Sequence, residues 1–409
     1  MDPFIMIASR KNRIQEDASL KFLNALAPAQ VALFYVGIPF CNYRCSFCWF
    51  GEKFKETLLK KNDFKQAYLR ALKTEIMVKL QLFKRHADVR PVCINFGGGT
   101  PTILSPEEIA DIIKVLLAES GARHRDLLEI NIEATPDTMT PEYVKKLKTL
   151  CRVNRVSLGL QFVSNVQLSQ AKREHSLDDF QNAYAALRAA GIENINIDLM
   201  FGLPGQTLPM VKKDLDFVLG LDPEHISPSP YTPTKESVRQ RYVGARYAEK
   251  IHDVLRQHGY VNYVHKYHCR DQRIGLSQLV YLSGQPYLGF GLGATSYCNG
   301  VFLCNSNDMS EYIGNPCSNL PESIRFEMHK DAIDWTYLLT SVMRFPQGVN
   351  IQWFKSRYGV DIEKDLKNNV FIAFLKKHNL LEKTADNFLR IKHNKRFSKH
   401  VWEIYCKPV

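Results

Sequence analysis

Between residues 30 and 231 the chain alternates short runs rich in Val, Ile and Phe with longer stretches whose apolar residues recur three and four apart. The short runs are Val31–Pro39, Val92–Gly98, Leu128–Ala134, Arg155–Phe162, Asn194–Phe201 and His225–Tyr231. Several are bounded by Gly or Pro, as buried strands of a parallel sheet are. The stretches Phe64–His86, Pro106–Glu119, Pro141–Leu150, Leu177–Ala190 and Leu208–Leu219 carry helical spacing. Ser105 and Thr140 stand as N-caps ahead of Pro106 and Pro141, and proline suits a first helical turn. Repeated strand–helix units predict an α/β fold, a parallel sheet curled into a partial (β/α)6 barrel. A full eight-stranded barrel is the alternative. In both, the chemistry belongs at the C-terminal ends of the strands.

After Tyr231 the repeat fades. Tyr287–Tyr297 reads YLGFGLGATSY, a strand with a glycine loop that permits close approach. Helical spacing returns in Ala332–Met343, Ile351–Tyr358 and Leu366–His378. The expected divisions are an N-terminal extension (1–30), a core barrel (31–235), a barrel-closing, substrate-covering segment (236–324) and a helical, winged-helix-like C-terminal domain (325–409).

The chain has 409 residues and a formal charge of +12, which suits either a lysine-rich solvated surface or an acidic partner. The densest basic stretch, Lys392–Lys399, carries one aromatic, Phe397, which argues against a nucleic-acid surface. No apolar run approaches the ~20 residues that span a bilayer. Met1–Asn24 has mixed charges and no apolar segment, so the sequence predicts a cytoplasmic protein without membrane partners.

Of the ten cysteines, three are clustered in Cys41-Asn-Tyr-Arg-Cys45-Ser-Phe-Cys48. Such clustering in a cytosolic chain points to metal rather than disulfides. A fully ligated [4Fe-4S] cluster takes four thiolates. A loop offering three leaves one iron open, which S-adenosylmethionine (SAM) can chelate through its amino and carboxylate groups. An electron from the cluster then breaks the sulfonium C5′–S bond, giving a 5′-deoxyadenosyl radical able to take hydrogen from unactivated carbon. The alternative is a zinc site with a distant fourth ligand, for which His265, His268 and Cys269 are candidates.

The run Tyr35-Val-Gly-Ile-Pro-Phe-Cys41 through Cys48 resembles the radical SAM group that contains oxygen-independent coproporphyrinogen III dehydrogenase. So do Asn95-Phe-Gly-Gly-Gly-Thr-Pro101, Ile132-Glu-Ala-Thr-Pro136, Val156–Phe162, Arg173-Glu-His175 and Asn196-Ile-Asp-Leu-Met-Phe-Gly-Leu-Pro-Gly-Gln-Thr207. The resemblance spans about residues 31 to 235 and, more loosely, the C-terminal domain. It implies Cys41, Cys45 and Cys48 as cluster ligands. It also implies SAM contacts from Gly97, Gly98, Gly99 and Thr100, from Glu133, Gln161 and Asp198, and from Arg173 to the SAM carboxylate. Tyr35 and Phe47 match positions near the cluster and adenine. The resemblance further implies an electron donor such as flavodoxin or ferredoxin. No catalytic side chain is singled out.

Two departures separate the chain from the dehydrogenase pattern: Phe50 replaces a further cysteine, and Gly37 replaces a histidine. The heme-chaperone branch shares CSFCWF-like sequences but carries a His-Asn-x-x-Tyr-Trp motif after a Cys-Arg pair. Here Cys269-Arg270 is followed by Asp271-Gln272. These departures point to the class C radical SAM methyltransferases, which are thought to use a second SAM molecule. They predict one-carbon transfer onto an sp2 carbon of a planar heteroaromatic or porphyrin substrate. Coproporphyrinogen decarboxylation and heme carriage are the alternatives.

Overall fold

A computed structural model describes residues 30–48, 62–85, 87–231, 238–298, 301–320, 339, 341 and 343–392. The N-terminal extension, Phe50, most of the Ala332–Met343 stretch and the basic run at Lys392–Lys399 lie wholly or mainly outside the described residues.

Six parallel strands follow in chain order: β1 (Leu33–Ile38), β2 (Cys93–Gly98), β3 (Glu129–Ala134), β4 (Arg155–Gln161), β5 (Asn194–Phe201) and β6 (His225–Pro230). Intervening helices cover their outer face, among them Asn62–Lys84, Pro106–Ser120 and Leu177–Ala189. Ser105 accepts from the Glu108 amide and Thr140 from the Tyr143 amide, so both capped helix starts form as their sequences predict. The sheet continues beyond the repeat. β7 (Val261–Val264) and β8 (Tyr267–Cys269) form a hairpin whose second strand runs antiparallel to β6. On the other edge β9 (Tyr287–Phe290) lies parallel to β1, followed by β10 (Thr295–Cys298) and β11 (Val301–Cys304). The strand order is β11-β10-β9-β1-β2-β3-β4-β5-β6-β8-β7, a partial α/β barrel that does not close among the described residues.

Strand side chains alternate between the faces. Phe34, Val36, Ile94, Phe96, Ile130, Ile132, Val156, Leu158, Ile195 and Ile197 point outward into one apolar core beneath the helices. The inner face is polar. Asn131 bonds Asn95, Ser157 donates to Asn131 at 3.4 Å, and Ser227 donates to Asn196 at 2.7 Å. The uniformly apolar strands expected of a parallel sheet are therefore apolar on one face only.

The glycines of Tyr287–Tyr297 serve packing. Gly291 has φ +104°, and a β-carbon there would meet the Tyr68 hydroxyl and the Gly37 carbonyl. Buried Glu75 accepts from the Gly291 amide at 2.8 Å, from Asn305 at 2.7 Å, from Tyr312 at 2.6 Å and from Lys79 at 2.6 Å. Lys79 completes its donors on the Gly289 carbonyl and Asn305. A charge pair so fully bonded is tolerated in the interior, and it pins β9 and its loop against the helix Asn62–Lys84.

Residues 343–392 gather around a second apolar core, including Phe354, Ile362, Phe371 and Leu375. The helices Ile351–Tyr358 and Val370–Lys377 pack with a three-stranded antiparallel sheet, β12 (Val349–Asn350), β14 (Phe388–Ile391) and β13 (Leu381–Lys383). The region is helical with a β-wing, as a winged helix is. Arg357 reaches Gln285 at 2.6 Å, and the His265 amide donates to the Arg344 carbonyl at 2.9 Å, so it rests on the barrel.

Candidate active site at the barrel mouth

The cysteine loop leaves the C-terminal end of β1 and is fastened on several sides. The Thr100 amide donates to the Phe40 carbonyl at 2.6 Å, the Ser46 amide to the Ala171 carbonyl at 3.0 Å, and the Cys48 amide to the Cys45 carbonyl at 3.3 Å. The Ser46 hydroxyl meets the Tyr231 hydroxyl at 2.9 Å, and the Tyr43 hydroxyl donates to Asp137 at 3.3 Å. Phe47 packs edge-on to Tyr231, against a small apolar cluster with Phe162, Leu168 and Met200.

Burial pushes the Cys41 thiol up to about 11, and the neighbouring Cys48 and Cys45 sulfurs act in the same direction. The Thr100 hydroxyl, 3.7 Å from the Cys41 sulfur, and Arg173 oppose them. Arg173 bridges the loop to the sheet, donating to the Cys45 sulfur at 3.5 Å and to the Gly159 carbonyl at 2.8 Å. Its guanidinium lies over the Tyr43 ring. The Arg173 Nε is buried without a hydrogen-bond partner among the described residues. His175 beneath it is held neutral: burial, then Arg173, bring it down to about 4.

Gly97–Gly99 close the gap between the loop and β3. A β-carbon at Gly99 would lie 2.5 Å from the Phe40 carbonyl oxygen, and one at Gly97 would lie 2.7 Å from a Glu133 carboxylate oxygen. Gly98 has φ +99°. Chain packing alone thus demands this glycine run, whatever binds there. Tyr35 lies alongside Gly97 and Gly98 with its hydroxyl held protonated by burial and by Glu133.

Glu133 on β3 and Asp198 on β5 face the same lumen. Burial, then Asp198, raise the Glu133 carboxyl to about 7, against hydrogen bonds from Asn95 and the Gly98 amide. Asp198 is likewise raised, by burial, and opposed first by Lys266. Its side chain accepts from Asn196 at 2.9 Å. Two half-buried acids held at one end of the barrel favour a cationic guest. Gln161 takes φ +68° where the β4–β5 register slips, a costly backbone state that redirects its side chain at the mouth.

The structure brings Tyr35, the three cysteines, Gly97–Thr100, Glu133, Gln161, Arg173 and Asp198 to one end of the barrel. Lys266 and Tyr267, from the β7–β8 hairpin, were not anticipated. No spacing signal marks them, because they reach the mouth only by the hairpin's antiparallel return along β6. The proposed zinc partners do not join the loop. Cys269 is buried in β8, and His268 pairs with His252 at 3.0 Å. Among the described residues no three His, Cys, Asp or Glu converge as ligands of a single metal ion. In a cluster each thiolate binds its own iron, so its ligands need not converge so tightly.

A family model of the radical SAM superfamily matches residues 35–218. The heme chaperone HemW of Bacillus subtilis is 32% identical over 304 residues, covering 68% of this chain and 74% of that protein. The oxygen-independent coproporphyrinogen III oxidase of Bradyrhizobium diazoefficiens is 31% identical over 207 residues, covering 51% of this chain and 44% of that protein. The solved structure of the coproporphyrinogen III oxidase HemN of Escherichia coli superposes with TM-score 0.70 at 21% identity, covering 94% and 92% of the two chains. The chain belongs to the radical SAM superfamily, in the group that holds these coproporphyrinogen oxidase-like proteins. That family implies a [4Fe-4S] cluster and SAM. The residues fit both: one loop supplies three soft thiols, an orphaned guanidinium N–H suits a carboxylate, and two raised acids suit an ammonium or sulfonium.

Proposed function

We propose that this chain is a radical SAM protein whose ligand is a porphyrin, and that it binds heme as its chaperone relatives are named for doing. Cys41, Cys45 and Cys48 would hold the cluster and leave one iron for SAM. When bound, the pair supplies a carbon radical by reductive cleavage of the SAM C5′–S bond. Arg173 would orient the SAM carboxylate beside the loop. Glu133 and Asp198 would receive its cationic groups and ribose, with Glu133 giving up a proton as the cation arrives. Gln161 and Tyr35 would border the adenosine. A flavodoxin or ferredoxin would supply the electron.

The observation that carries the radical SAM site is the meeting of three thiols from one loop with an unsatisfied Arg173 and an under-bonded acid pair at one barrel mouth. The heme reading is supported by the identity to HemW over most of that protein's length. One-carbon transfer, suggested by Phe50 and Asp271-Gln272, finds no such support among the relatives described above. Decarboxylation keeps the shorter match to the Bradyrhizobium oxidase.

Anaerobic reconstitution with iron, sulfide, reductant and SAM, followed by titration with heme and separate incubation with coproporphyrinogen III, tests the proposal. Stoichiometric heme binding with no decarboxylated product and no S-adenosylhomocysteine is expected. Turnover of coproporphyrinogen to a decarboxylated product would replace carriage with catalysis, and S-adenosylhomocysteine with heme would restore methyl transfer.

A further inference from the structure

We propose that Lys266 anchors a carboxylate of the bound substrate at the barrel mouth. The inference rests on the porphyrin reading above and narrows it to porphyrins with free acid side chains.

Lys266 sits in the tight turn of the β7–β8 hairpin, after His265 in the left-handed region at φ +46°. β8 runs antiparallel to β6, with Cys269 opposite His225 and His268 opposite Ile226. The turn is thereby carried toward the C-terminal end of β6, where the parallel strands present their chemistry. There the Lys266 ammonium donates to the Ser229 hydroxyl. Ser229 is two residues beyond Ser227, whose hydroxyl points into the lumen at Asn196. Ser229 therefore faces the same lumen one step nearer the mouth.

The ammonium is held but not consumed. Its described contacts are Ser229 and the face of the Tyr267 ring, with its centroid 5.7 Å away. An ammonium has three donors, so two remain for a guest. It stands within the field of Glu133 and Asp198, yet forms no ion pair with either among the described residues. A half-buried cation with donors to spare, hydrogen-bonded to neither acid among the described residues, can receive an anion. Arg173 stands at the cysteine loop, on a different element. Two cations on separate elements suit two separate carboxylates: SAM's at Arg173 and the substrate's at Lys266. Tyr267, half-buried and within the field of the same acids, adds an aromatic flank suited to a planar ring.

Reconstituted wild type, Lys266→Met and Lys266→Arg are compared for binding of hemin, hemin dimethyl ester and SAM, with cluster absorbance as the check on folding. Charge-assisted hydrogen bonds predict that Lys266→Met weakens hemin binding roughly tenfold or more. The ester should bind wild type as weakly as hemin binds Lys266→Met, and the variant should not weaken it further. Lys266→Arg should retain most of the hemin affinity, and SAM affinity should change far less than hemin affinity in either variant. Equal effects on acid and ester, or no effect on either, would overturn the anchor while leaving the porphyrin reading in place. A loss confined to SAM would reassign Lys266 to the SAM carboxylate and overturn it too. Wild type binding neither hemin nor its ester would overturn the porphyrin reading and the anchor with it.

Discussion

Glu129 and Glu133 stand on the same strand, four residues apart, and face the same lumen, yet their surroundings differ. Glu129, at the floor, accepts from the Leu276 amide at 2.8 Å and from the Ser277 amide and hydroxyl at 3.0 and 2.6 Å. It caps the helix Leu276–Leu282 and lies 3.9 Å from the buried Arg155. The floor continues from the Tyr263 hydroxyl through His225, which is held neutral by burial and by Arg155, to Asn196. Glu133, at the mouth, has bonds from Asn95 and Gly98 and feels Lys266 without forming an ion pair among the described residues, and its carboxyl rises to about 7. A buried acid whose partners are all supplied by the chain is structure. One left short of a counter-charge is prepared to receive it from a ligand.

The largest effect that follows is at the cysteine loop. Cys45→Ala removes the thiol that Arg173 bonds, and the protein should lose its iron, its visible absorbance and all SAM cleavage after reconstitution, while its circular dichroism is kept. Full iron retention would show that the mouth is not a cluster site.

The next separates floor from mouth. Glu129→Ala strands Arg155 and three donors, and should lower unfolding free energy by roughly 3 kcal/mol or more in denaturant titration. Glu133→Gln should change stability by less than about 1 kcal/mol, because a half-protonated acid is replaced by a neutral isostere. That variant should instead bind SAM roughly tenfold more weakly. The comparison fails if the two variants destabilise equally.

The smallest effect is a pH dependence. In the free protein Glu133 titrates at about 7, and beside a bound cation its pKa must fall. SAM affinity should therefore be flat above about pH 7 and decline below it, by at most about tenfold per unit. Calorimetry in two buffers of different ionisation enthalpy should detect proton release at pH 6 and almost none at pH 8. Equal release at both would remove Glu133 from the linkage.

Much of this was legible in the sequence. The six strands begin and end within a few residues of their apolar runs, because several are bounded by Gly, Pro or a capped helix. The cysteine loop was legible because its spacing is local. What the sequence reading missed was the inner face. The pattern is present in Glu129-Ile-Asn-Ile-Glu133, Arg155-Val-Ser-Leu-Gly-Leu-Gln161 and Asn194-Ile-Asn-Ile-Asp198. Polar and apolar residues alternate there as in a strand with one wet face, contrary to the run of apolar residues expected of a doubly covered strand. Lys266 and the Glu75–Lys79 strut were illegible, since each acts on residues more than thirty positions away. The glycine run at 97–99 was legible as a close approach, but its partner is the chain's own Phe40 and Glu133.

A cluster at the mouth with one iron open to SAM would show in electron paramagnetic resonance of the reduced, reconstituted protein, recorded with and without SAM. About four irons per chain and a cluster signal whose g-values shift when SAM is added are expected. A signal unchanged by saturating SAM, or iron bound as single ions, would contradict such a cluster.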